Sequence, residues 1–201
     1  MSRTTRDAKL LQYLNEAYGK ERELETALEA HIGMTTKKAY AKRLREHLTE
    51  TKGHARQIER RLKVISGESP ARLQSVAGQA VGRATSLAKG PLHMVRGTGG
   101  AEKMLKNAKT EYFNEHEEIA TYTAIEALAE SLNDADTAKM ARSIRREEER
   151  MARFLAGQIP QLTKAVVREE VPAAERRGDH GKRRRRSSRS RSRSSQRARR
   201  R

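Results

Sequence analysis

Carboxylates recur along this chain at places where a helix would be expected to bury leucine. In EYFNEHEEIATY, residues 111–122, Glu111, Glu115, Glu118 and Tyr122 follow one another at steps of four, three and four, the spacing that lines up one helix face. Glu21 falls in step with Leu10, Leu14, Ala17, Leu24 and Leu28, and Glu148 with Ala141, Ile144, Met151, Leu155 and Leu162. Glu50 stands three residues after His47 and four before His54. A buried, unpaired charge costs several kcal/mol or takes up a proton. One inward acid per helix, near the middle of each, is therefore hard to produce by accident. A shared cation accounts for it. Two divalent iron or manganese ions would keep several carboxylates ionised, and both metals accept carboxylate oxygen and imidazole nitrogen.

Each residue also has a plainer reading. Glu111 fits a boundary position that reaches water or pairs with an arginine, and Glu147 and Glu149 fit a solvated face. His47 suits a hydrogen-bonded core histidine as readily as a ligand, and Tyr122 packs with its hydroxyl on a carboxylate. For Glu21, Glu50, Glu115 and Glu148 the alternative is a salt-bridged interior with Arg43 or Arg146.

The elements that would position these groups are helices. The chain has no Cys and no Trp, 3% aromatics and 35% charged residues, a palette for helix surfaces and a core of Leu, Ile, Val, Met and Ala. The first helix is expected from about residue 5 to 32, with Gly33 as its stop. Thr35 or Thr36 offers a cap for a second helix reaching residue 66, its inner face marked by Tyr40, Leu44, His47, Thr51, His54, Ile58, Leu62 and Ile65. Residues 67–100 are rich in Gly and Ala, with Ser69-Pro70 a possible start for a weaker helix and KGPLHMVRGTGG a loop. Gly78 and Gly82, four apart, would permit close packing there. The third helix spans about 101–132 through Met104, Ala108, Glu111, Glu115, Glu118, Tyr122, Ile125 and Ala129. NDAD at 133–136 reads as a tight turn carrying a cap, and a fourth helix runs to about residue 168 with a kink expected at Pro160. Connections that run short, long, short describe an all-α, ferritin-like four-helix bundle of two antiparallel pairs, with a long crossover between helices 2 and 3.

Three stretches, YLNEAYGKERELETALEAH, REHLTETKGHARQIERRL and NEHEEIATYTAIEALAESL, resemble the ferritin-like stress-response family that includes the YciE and YciF proteins, over roughly residues 8–165. The resemblance implies a four-helix ferritin-like fold with a carboxylate-lined metal site, often in a dimer. A ferritin-like di-iron site takes a Glu from each of two helices and a Glu-x-x-His pair from each of the other two. Carried over by position, Glu21 matches the first lone Glu and Glu50 the Glu of the second helix. Gly53 stands where His would follow Glu50, and His54 is one residue further. Glu115 and Glu118 form Glu-x-x-Glu, and Glu148 is followed at three by Met151, a poor ligand for iron. The expected ligand set is Glu21, Glu50, His54, Glu115, Glu118 and Glu148, holding two iron or manganese ions.

The net charge of +18 is uneven. Residues 182–201 contain Lys182, Arg183, Arg184, Arg185, Arg186, Arg189, Arg191, Arg193, Arg197, Arg199, Arg200 and Arg201 with no acid. The remaining 181 residues carry only +6. The division expected is a bundle over 1–170 and a basic tail over 171–201, disordered when free because nothing apolar offsets its ordering entropy. Arginine pairs with phosphate bidentately, so nucleic acid is the expected partner. Without aromatics to stack on bases, the contact is through the phosphate backbone, weakly selective and salt-dependent, with DNA ahead of RNA. Tail serines are potential phosphorylation sites. No apolar run approaches the ~20 residues of a membrane span, and residues 1–7 are polar, so the expected setting is the cytoplasm, at the nucleoid. Two functions fit: a ferritin-like protein that oxidises or sequesters iron, or guards against peroxide, while tethered to nucleic acid; or a non-enzymatic DNA-bridging protein whose carboxylate site is vestigial. A homodimer is expected in both, doubling the arms.

Overall fold

The computed structural model describes residues 4–67 and 99–176 of the 201. Among them five helices occur: α1 (Thr5–Met34), α2 (Lys38–Ser66), α3 (Gly100–Ser131), α4 (Ala135–Glu170) and a single turn, α5 (Ala173–Arg176). The four long ones form the expected ferritin-like, all-α bundle. α1 pairs with α2 and α3 with α4, while α1 lies against α3 and α2 against α4. The crossover expected at 67–100, including Ser69-Pro70, Gly78 and Gly82, falls almost entirely outside the described residues. So does the tail from 177 onward.

Local chemistry sets the helix ends. Thr4 caps α1 by accepting from the Asp7 N–H, and Gly67, at φ 72°, closes α2 in the left-handed conformation that glycine adopts freely. Asp134 caps α4 through the Thr137 N–H and also meets the Arg61 guanidinium at 2.5 Å. Asn133 takes φ 55° in the turn before it. One expectation changes at the α1–α2 junction. α1 runs past Gly33 to Met34, and Thr35 is its C-cap, its hydroxyl bonded back to the His31 carbonyl at 2.7 Å. α2 therefore starts at Lys38, with Lys37 in the N-cap position and no side-chain cap. α4 continues through Pro160 to Glu170, with the proline ring on the exposed side of the helix.

The bundle interior has three layers. Leu14, Ala17, Ile58, Tyr122 and Ile144 fill one end, and Leu28, Leu44, Ala108, Met151 and Leu155 fill the other. Between them lies a band of buried polar residues: Glu21, His47, Thr51, His54, Glu115, Glu118 and Glu148. The apolar layers keep water from this band, so every charge in it must be compensated locally.

Candidate metal centre

Each helix delivers its polar groups because they share a register with its apolar stripe. α1 supplies Glu21, α2 supplies His47 and His54 two turns apart, α3 supplies Glu115 and Glu118, and α4 supplies Glu148. All are at most 2% exposed. Two groups converge closely enough to hold a cation: Glu21, His54 and Glu148, and His47, Glu115 and Glu148, with the ligating atoms of each group within 4.8 Å of one another. Glu148, fully buried, belongs to both.

The histidines approach the shared carboxylate from opposite sides. His54 Nδ1 lies 2.9 Å from Glu148 Oε1 and 3.5 Å from Glu21 Oε1. His47 Nε2 lies 3.1 Å from Glu115 Oε1 and 3.7 Å from Glu148 Oε2. The outer nitrogen of each ring rests on a more exposed carboxylate: His54 Nε2 is 2.9 Å from Glu147 Oε2, and His47 Nδ1 is 3.1 Å from Glu50 Oε2. Such an outer carboxylate fixes ring orientation and tautomer and makes the inner nitrogen a better ligand. The Tyr122 hydroxyl donates to Glu21 Oε1, holding that carboxylate in place.

Several buried atoms are left without a hydrogen bond: Glu21 Oε2, Glu115 Oε2, Glu118 Oε1, both oxygens of Glu148, and His54 Nδ1. His54 Nδ1 is close to Glu148 Oε1 but not aligned for a hydrogen bond. Native interiors rarely tolerate so many orphaned acceptors in one place, and all of them are groups that bind cations. Burial pushes Glu21 up, burial pushes Glu115 up to about 8, and Glu118 is raised well above the usual carboxylate range by burial and by the charges of Glu148, Glu21 and Glu115. Glu148 moves the other way: burial would raise it, but the approach of His54 and the charge of His47 outweigh this and hold it low. Burial likewise opposes the charge on the histidines, yet the facing carboxylates raise His47 to about 10 and His54 to about 11. Without an ion, protons on the imidazoles partly balance the acids. The residues fit one or two divalent cations of hard to borderline character, bound by oxygen and imidazole nitrogen.

The expected ligands are thus sorted by position. Glu21, His54, Glu115 and Glu148 converge. Glu118 is buried beside them but belongs to neither group of three. Glu50, expected as a direct ligand, instead stands behind His47 and is held by Arg43, whose two terminal nitrogens are both 3.0 Å from Oε2. Burial would raise Glu50, but His47 and Arg43 overcome this and hold it down at about 2. The salt-bridge alternative therefore applies to Glu50 alone among the four.

Three readings of single residues change. His47, ambiguous in sequence, faces the centre. Glu147, assigned to a solvated face, orients His54. Glu111, assigned to the rim, is 3% exposed, bonded by the Tyr40 hydroxyl and lies 2.7 Å from His31 Nδ1. The signal for His47 was present, since it lies seven residues from His54 on one stripe. Glu147 carried none, because a run of three glutamates does not show which ones turn inward.

Solved structures share this architecture. A protein from Xanthomonas campestris pv. campestris aligns over 83% of this chain and 99% of its own, with 22% identity and a TM-score of 0.65. The Escherichia coli stress protein YciF aligns over 80% of this chain and 98% of its own, with 18% identity and a TM-score of 0.63. YcfI from Rhodopseudomonas palustris aligns over 76% and 94%, with 20% identity and a TM-score of 0.59. At these identities the likeness establishes the fold. Membership is established by sequence: the pattern of the family described as Domain of unknown function (DUF892) matches residues 5–168, from the start of the first helix to the last turn of the fourth, and the chain belongs to that family.

Proposed function

We propose that this protein is a ferritin-like metalloprotein that oxidises or sequesters iron, limiting peroxide chemistry close to nucleic acid. The observation that carries the metal reading is the pair of Glu/His groups sharing Glu148, walled by apolar layers and rich in orphaned acceptors. An iron pair bound there would supply the redox chemistry. The chain's own part is to hold it: Glu148 between the two positions, Glu21 with His54 on one side, Glu115 with His47 on the other. Glu147 and Glu50 fix the rings, and the apolar layers exclude bulk water.

The nucleic-acid part rests on charge. The basic tail, residues 182–201, is one support, and the bundle adds another. α2 holds nine Lys or Arg against three acids and α4 eight against six, whereas α1 holds four against six and α3 three against seven. Since α2 lies against α4 and α1 against α3, cationic and anionic sides oppose each other. A polyanion is attracted to the first side at long range.

The experiment is metal analysis of protein purified without chelator, followed by Fe(II) addition under O₂ or peroxide. About one or more metals per chain, with oxidant consumed, supports the proposal. Less than one, with no thermal stabilisation by Fe(II), defeats it. Removing residues 182–201 should weaken a low-salt mobility shift on duplex DNA; unchanged binding would remove the tail from the reading.

A second reading is a homodimeric, non-enzymatic protein that bridges DNA with its arms. The observation favouring it is that His47 and His54 already contact the acids at 2.9–3.1 Å, so the band is partly neutralised with no ion. Compaction of DNA by metal-free protein, together with failure to load metal, would select this reading.

A further inference from the structure

Glu111 is a buried acid that belongs to neither cation-binding group. One turn before Glu115 on α3, it is 3% exposed with both oxygens engaged, one by the Tyr40 hydroxyl and the other near His31 Nδ1. A leucine there would join the apolar layer of Leu28, Leu44 and Met104 without the desolvation of a carboxylate. Beside it is a narrow cavity of about 10 Å³ whose polar lining is His31, His47, Glu111, Asn114 and Glu115. Its remaining walls are Leu24, Ala27 and Leu28. That is room for roughly one water molecule or a bare ion, and too little for an organic ligand. His31 and Asn114 are partly exposed. Glu115, by contrast, is 2% exposed and its Oε2 lacks a hydrogen-bond partner. One small cavity is therefore lined both by a partly exposed imidazole and a buried carboxylate outside the metal centre and by Glu115 and His47 of that centre.

We propose that His31 and Glu111 form a separate cation-accepting station through which a divalent ion reaches the centre. This rests on the reading of the Glu/His band as a metal centre. Glu111, satisfied when no ion is present, exchanges its contact with His31 for the incoming ion, which sheds water as it passes Asn114 and is handed to Glu115, about 6 Å further along α3, and to His47 on α2. Because the carboxylate acts on passage and not on final coordination, it governs the rate of loading and leaves capacity unchanged.

The test is stopped-flow uptake of Co(II) by the full-length chain, followed by its ligand-field absorption, with final stoichiometry measured after equilibration. Glu111→Gln keeps shape and hydrogen bonding while removing the charge, and Asn114→Leu removes a polar wall of the cavity. Both should slow uptake by about tenfold or more, in the range by which charged clefts raise association rates, and both should reach the wild-type stoichiometry. Glu117→Gln, on the exposed face, should load at the wild-type rate. Unchanged rates in both variants overturn the station. A reduced final stoichiometry in Glu111→Gln also overturns it, by making Glu111 a ligand of the centre. Absence of Co(II) binding in the wild type removes the metal centre itself, a different failure.

Discussion

Replacing Glu148 by Gln should remove metal stabilisation from two positions at once. The substitution conserves volume in a site with no exposure and withdraws the one carboxylate common to both groups. At a free metal concentration a thousand times Kd, a bound ion stabilises the fold by about 4 kcal/mol, and weakening it by about a hundredfold leaves roughly 1.4 kcal/mol. The loss is then about 2.7 kcal/mol per position, or about 5 kcal/mol for both. At about 2–4 °C per kcal/mol for a chain of this size, the metal-induced rise in Tm should shrink by roughly 10–20 °C. Glu21→Gln and Glu115→Gln, each touching one group, should lose about half as much. The assay is calorimetric melting with and without Mn(II). The quantity compared is the metal-induced shift, because without metal Glu148→Gln also strips His47 and His54 of a counter-charge and lowers the baseline. A Glu148→Gln loss no larger than that of either single-group variant would refute the shared-ligand geometry.

Other substitutions separate roles around the same centre. Glu50→Gln should weaken Mn(II) binding by about 10–100-fold, the size seen for groups that orient a histidine ligand, and the loss should be smaller than for Glu148→Gln in the same competition titration. Tyr122→Phe leaves Glu21 Oε1 without its donor, so urea unfolding of metal-free protein should show a loss of about 1.5–3 kcal/mol; a neutral result would mean that bond is absent in solution. Asp134→Asn keeps a capping residue but removes the charge facing Arg61. Burial would raise Asp134, yet Arg61 and Thr137 hold it below its ordinary 3.8. A carboxylate depressed by folding stabilises above its unfolded pKa and loses that contribution as pH falls through the folded value. The variant should thus be about 2 kcal/mol less stable at pH 7, and the gap should narrow as pH falls below 3.8 and through the lower folded value; a gap independent of pH would contradict the ion pair.

The stripes were legible because one period governed both apolar and polar positions. Every inner-face residue read on α3, from Met104 to Ala129, is buried, as are Leu10 to Leu28 on α1. What periodicity does not carry is the fine angle. Glu50 and His54 are four residues apart on α2, yet only His54 reaches the centre, because Arg43 holds Glu50 toward the outside. Glu111 looked peripheral because its partners, Tyr40 and His31, lie 71 and 80 residues away. Thr35 has a helix-starting side chain, but its hydroxyl bonds backward to the His31 carbonyl and ends α1. The pairing of Glu111 with Tyr40 and His31, by contrast, leaves no local trace.

The most direct test of the account is anomalous diffraction from crystals of the protein loaded with Fe(II) or Mn(II), recorded across the metal's absorption edge. Two peaks flanking Glu148, one bounded by Glu21 and His54 and the other by His47 and Glu115, are the predicted result. An empty band, with the histidines still resting on the carboxylates under saturating metal, would contradict it.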